Sequence, residues 1–131
     1  MIRDMELVRK LLHDIANGEF NKVSFVLSSF GEESDRVKED KKYAYHLKIM
    51  RQAGLITYEE QEHKGGMRLF ELPELTWVGQ DYYGAIQSDT IWSKTKEAVT
   101  SSGMKLGNVA FDTLILMAKV KAKEVLGLPM E

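Results

Sequence analysis

Near the start of the chain, Leu7, Val8, Leu11, Leu12 and Ile15 recur at i, i+1, i+4, i+5 and i+8. That is the stripe of a helix with one buried face, and it predicts a helix over 5–17. Asp4 stands where its carboxylate can accept an N–H of the first turn, and Asn17-Gly18 is a stop at which glycine takes a left-handed backbone. Residues 22–27 are rich in β-branched and aromatic side chains and predict a short strand, with a loop over 31–33. A second helix is expected from a Ser34 cap to about Ala53, with Gly54 ending it. Tyr43, Leu47 and Met50 share its core side, with His46, Ile49 and Ala53 beside them. The other side carries Lys41, Tyr45, Lys48 and Gln52 at i, i+4, i+7 and i+11, flanked by Ala44 and Arg51.

Two strands follow, over 55–61 and 67–72, joined through a turn at 62–66 whose Gly65 and Gly66 permit positive φ. Pro73 ends the second strand. Thr76 caps a helix reaching about Gln87, with Trp77, Val78, Tyr82, Tyr83 and Ile86 as its apolar residues. Gly79 and Gly84 lower its helix propensity and imply a closely packed neighbouring backbone. Ser88 and Asp89 cap a further helix bearing Ile91, Trp92, Thr95 and Val99, ended by Ser101-Ser102-Gly103. The last helix is expected over 108–126. Phe111, Leu114, Ala118, Ala122 and Val125 repeat along it at close to heptad spacing, with Ile115, Leu116 and Met117 on other sides. Apolar on more than one side, it lies at the centre of the domain or meets a second copy in a homodimer.

Helix, strand, helix, Ala53-Gly54-Leu55-Ile56, hairpin and then Leu75-Thr76 is the order of a winged helix. The expected class is mainly α (α+β): a winged helix-turn-helix-like domain with a β-hairpin wing and additional C-terminal helices. It forms one domain over 1–131, with a core over about 1–74 and a helical extension over about 75–131. Three local patterns sharpen this. They are Tyr43-Ala44-Tyr45-His46-Leu47-Lys48 leading to the Ala-Gly-Leu-Ile turn, Leu75-Thr76-Trp77-Val78-Gly79-Gln80-Asp81 with Ile91-Trp92 downstream, and Arg3-Asp4-Met5-Glu6-Leu7-Val8-Arg9. Together they resemble the bacterial and prophage domain-of-unknown-function family 2513, over nearly the whole chain. The resemblance implies a winged-helix-like fold and a phage or prophage setting, and it carries over no functional residue. The Ala-Gly-Leu-Ile and Leu-Thr-x-x-Gly patterns also resemble small winged-helix transcription regulators, in which the helix before that turn enters the major groove of DNA and the hairpin is the wing.

Composition narrows the chemistry. Of 131 residues, 44% are apolar and 29% charged, which is globular rather than disordered. With no cysteine, a disulfide framework, a thiolate metal site and a cysteine nucleophile are excluded. No apolar run reaches the roughly 18 residues that span a bilayer, and the first residues turn charged at once, so the expected setting is cytoplasmic with no membrane partner. His13, His46 and His63 fall on three elements with no zinc-site spacing, and His46 reads as a hydrogen-bonded structural histidine. The carboxylate runs Glu32-Glu33, Glu39-Asp40 and Glu59-Glu60 read as solvated faces, Ser28-Ser29 and Ser101-Ser102 lack a nucleophile elbow, and Trp77 and Trp92 read as core. No catalytic residue, cofactor, metal or small-molecule ligand is expected.

The remaining candidate is the basic stripe. Residues 34–53 hold six basic and three acidic side chains, a local +3 in a chain of net −2. Double-stranded DNA is the expected partner of that stripe, through Lys41, Tyr45, Lys48, Arg51 and Gln52, with Lys64 on the hairpin. A dedicated nucleic-acid binder is usually basic overall. Here Glu59, Glu60 and Glu62 sit where a DNA-binding wing would meet phosphate, and Lys64 and Arg68 only partly compensate. The rival reading is a protein-interaction module that keeps the scaffold without the DNA binding, its partner surface being the hairpin or the last helix. A continuous positive face joining Lys41, Lys48, Arg51 and Lys64 favours DNA. A broken one favours a protein partner.

Overall fold

The computed structural model describes residues 1–28 and 33–128, and the loop expected at 31–33 lies outside them apart from Glu33. Asp4 caps α1 (Met5–Ala16), its Oδ1 accepting the N–H groups of Glu6 and Leu7 at 3.1 Å each. The apolar stripe buries Leu7, Val8, Leu11 and Leu12. After β1 (Ser24–Val26), α2 (Asp35–Gln52) is capped by Ser34 Oγ, which accepts the Val37 N–H at 3.3 Å, and it closes on Gly54 at φ +80°. β1 separates α1 from α2, and none of the described residues between β1 and α2 is helical, so the two helices do not meet across a short turn.

Each arm of the hairpin carries two short strands, the last of them beyond Pro73, where the expected second strand ends. The outgoing arm gives β2 (Ile56–Thr57) and β3 (Glu60–His63), and the return gives β4 (Gly66–Leu69) and β5 (Glu74–Leu75). β2 pairs with β5, while β1, β4 and β3 form a second antiparallel sheet in that order. The turn is only Lys64-Gly65, with Gly65 at φ +87°, tighter than the expected 62–66. The reason for the division is a mismatch in length. Between Thr57↔Glu74 and Glu60↔Leu69, two residues on one arm face four on the other, so the longer arm, 70–73, bows out of the ladder.

Three helices complete the chain: α3 (Trp77–Ile86), α4 (Asp89–Ser101) and, after a short 3-10 turn at Leu106–Asn108, α5 (Phe111–Leu126). The described residues thus form an α+β chain of five α-helices and two small antiparallel sheets. Leu11, Leu47, Phe111 and Leu114 meet in one buried cluster as expected, with Ile15 partly buried against it. α5 spends its apolar start inside the chain, where Phe111, Leu114, Ile115 and Ala118 are buried, while Leu116 stays outside. No helix among the described residues is long and apolar enough to cross a membrane.

Several facings differ from the periodic reading. Ala44, placed on the flank of the polar stripe, is buried. Asp40, expected on a solvated face, is buried as well: its Oδ1 meets Lys22 Nζ at 2.8 Å and its Oδ2 accepts the Val26 N–H at 2.8 Å, tying α2 to β1. Burial pushes this carboxyl upward, but the Lys22 ammonium and the Val26 N–H outweigh it and hold it below its ordinary range. Glu60 is also drawn inward, while Glu32 lies outside the described residues. Trp92 is core, whereas Trp77 is 82% exposed. α3 turns Gly79, Tyr82, Ala85 and Ile86 inward, and Trp77 lies on the far side of the helix from Gly79, Tyr82 and Ile86. Gly79 explains that choice, because a Cβ there would sit 1.9 Å from the Leu55 carbonyl oxygen. Gly84 has no such neighbour.

Candidate functional site

The exposed side of α2 carries the basic stripe. Lys48 and Gln52 are exposed on it, and Tyr45 is half-buried, edge-on to His46 with ring centroids 5.2 Å apart. Lys38 shares that side, also exposed. Lys41 is paired with Glu33, and Lys42 reaches the capping carboxylate Asp4 at 3.1 Å. Arg51 points to the hairpin: its guanidinium bonds Glu60 Oε1 at 3.0 Å and lies 4.3 Å from the Tyr58 ring centroid. Lys64 is exposed at the tip of the hairpin, beyond β3 with its Glu60 and Glu62. The four-residue positive face is therefore broken at two places, with Lys41 and Arg51 committed to carboxylates and only Lys48 and Lys64 open to solvent.

On the other side of Arg51, the bowed arm of the hairpin opens a cleft lined by Thr57, Tyr58, Glu59, Phe70, Leu72 and their neighbours. Phe70 is 61% and Leu72 49% exposed. Trp77 and Val78, which open α3 directly after β5, continue the series of large apolar side chains in solvent. The hydrophobic pattern marked all four positions as strand or helix core. What it could not show is the unequal arm length that turns Phe70 and Leu72 outward, or the close approach at Gly79 that turns Trp77 away. Tyr58 is buried in the wall of the cleft, and its hydroxyl finds no partner among the described residues. Burial pushes that hydroxyl up to about 12, so it stays protonated.

His46 is buried, its Nε2 accepts the Asp4 N–H at 2.8 Å, and its Nδ1 donates to the Lys42 carbonyl at 2.7 Å, so neither ring nitrogen is open to a ligand. His13, Asp14 and Glu19 bring ligand atoms within 4.8 Å of one another at the end of α1. There, Asp14 is held by Lys10 at 2.6 Å, and His13 Nδ1 lies 2.8 Å from the Tyr83 hydroxyl. A third polar knot is structural: Trp92 Nε1 donates to both Glu6 oxygens at 3.1 Å, Lys96 meets the same carboxylate at 2.8 Å, and the knot fastens α4 to α1.

No curated protein and no solved structure matches the chain. Residues 2–105 match the family model described as Hypothetical protein (DUF2513), and with its three motifs, its capped α2 and its hairpin all inside that span, the chain belongs to this family.

Proposed function

We propose that this chain is a protein-interaction module built on a winged-helix-like scaffold, with its partner surface on the hairpin side. The order helix, strand, helix, hairpin, together with β1 added to the hairpin as a third strand, supports the scaffold. One observation carries the function: Phe70 and Leu72 stand in solvent on the bowed arm, and Trp77 and Val78 do so at the start of α3, a few residues further along the chain. Exposed large apolar groups that cluster are a signature of docking surfaces. The broken positive face removes the main support for phosphate binding.

A second reading keeps DNA as the partner, with a regulator's role in a phage or prophage setting. It is favoured by Lys38, Lys48 and Gln52, which are exposed along one side of α2 with Tyr45 between them. One side-by-side experiment separates the two: titration with double-stranded DNA at two salt concentrations, and capture of partners on immobilised wild type against a folded Phe70→Ser/Trp77→Ser variant. The interaction reading expects DNA binding weaker than about 1 μM and unchanged by Lys48→Ala, with partners lost in the double variant. Tighter binding whose salt slope falls by about one unit in Lys48→Ala gives the function to DNA.

A further inference from the structure

The cleft between the two ladders has a volume of about 560 Å3 and a one-sided charge. Glu59, Glu71 and Glu74 stand exposed around it, and none has an ion-pair partner among the described residues. The one cation that lines it, Arg51, is already bonded to Glu60. Three uncompensated carboxylates lining one cleft raise the local concentration of cations. Between them, Phe70 and Leu72 offer apolar surface on the same arm. An anionic segment would meet this field head-on. A wholly apolar one would strip water from carboxylates without pairing them. Only a segment that brings both positive charge and an apolar side chain satisfies rim and floor together.

We propose that the cleft takes a cationic segment of a partner protein. Lysine or arginine side chains meet Glu59, Glu71 and Glu74, and an apolar side chain rests on Phe70 and Leu72. The proposal rests on the protein-interaction reading above and specifies the partner's chemistry. The test is calorimetric titration of the full chain with a blocked peptide of four lysines, two leucines and one phenylalanine. Three folded double variants are run beside the wild type. Glu71→Lys/Glu74→Lys and Phe70→Ser/Leu72→Ser each weaken binding about tenfold, a change of about 1.4 kcal/mol. Glu97→Lys/Asp112→Lys makes the same charge change on α4 and α5 and leaves binding as it is. Equal losses in the two charge variants mean diffuse attraction and overturn the proposal, as does the absence of binding at millimolar peptide. A wild type that is dimeric by light scattering and becomes monomeric in Phe70→Ser/Leu72→Ser also overturns it, since a second copy then fills the cleft. Partner capture that needs Phe70 and Trp77 but is indifferent to Glu71→Lys/Glu74→Lys keeps the interaction reading and rejects the cationic segment alone.

Discussion

The backbone N–H of Asp4 can only donate, so the ring nitrogen 2.8 Å from it, His46 Nε2, must carry a lone pair. The proton of neutral His46 therefore sits on Nδ1 and goes to the Lys42 carbonyl. Protonating the ring would set an N–H against the backbone N–H of Asp4, the residue whose carboxylate caps α1. Burial holds His46 below its ordinary value of 6.5, against smaller opposing pulls from the Lys42 carbonyl and the Asp4 charge. The unfolded chain takes up this proton near pH 6.5, and the folded chain only further down. The stability linked to His46 is thus fully present above pH 6.5 and falls as pH drops through the folded value. A second, lower window belongs to Asp4 and Asp40. Burial raises both carboxyls, but their lysines and backbone N–H partners outweigh it, so their contribution is lost only as pH falls below 3.8. In urea unfolding, the midpoint should decline between about pH 7 and pH 5. A His46→Gln variant, weaker at neutral pH, should lose that part of the slope. An identical slope in the variant would remove His46 as its cause.

At the scale of the element, α2 was legible at both ends and less so around its circumference. Ser34 and Gly54 are recognisable because capping and left-handed geometry are local chemistry. Which polar side chains turn inward is not local. Asp40 is buried because the Val26 N–H of β1 and Lys22, just before that strand, reach it from well upstream of the helix, and no helical period encodes that meeting. Arg51 is the same case with a functional consequence. Spacing placed it beside the DNA-facing stripe, but the bowed hairpin brings Glu60 and Tyr58 under its guanidinium. The Glu60 side chain is only 14% exposed, and its Oε2 has no hydrogen-bond partner among the described residues. Arg51→Ala therefore strands a largely buried carboxylate and should destabilise the chain by about 1–3 kcal/mol in denaturant unfolding. Lys48→Ala, on the exposed side of the same helix, should stay within about 0.5 kcal/mol. Equal effects would return Arg51 to the solvent face and leave Lys41 as the one break in the positive surface of the DNA reading.

For the whole molecule, the order of elements follows from punctuation that any reader of the sequence can see. How the halves depend on one another does not, because it is set by packing between residues far apart in the chain. α1 packs against α3 and β5 as well as α2, and α5 packs on α3 and α4. Tyr82, Ile86, Trp92 and Leu114 are buried in the same cluster as Leu11 and Leu47. Arg9 Nε donates to the Ile86 carbonyl at 2.8 Å, and the Glu6–Trp92–Lys96 knot adds a second tie from α1 to the later helices. A chain without those four side chains uncovers Leu11, Leu47 and their neighbours in the cluster, at about 1.5–3 kcal/mol for each large apolar side chain fully exposed. The whole stability of a domain this size is about 5–15 kcal/mol. A chain ended after Thr76 should therefore not fold cooperatively, although it keeps α1, α2 and every strand. Near-ultraviolet circular dichroism and amide dispersion by NMR read this directly: the truncated chain should show neither fixed aromatic packing nor a sharp unfolding transition, while the full chain shows both. A cooperative transition in the truncated chain would make residues 1–76 a self-sufficient core and α3–α5 an extension that rests on it.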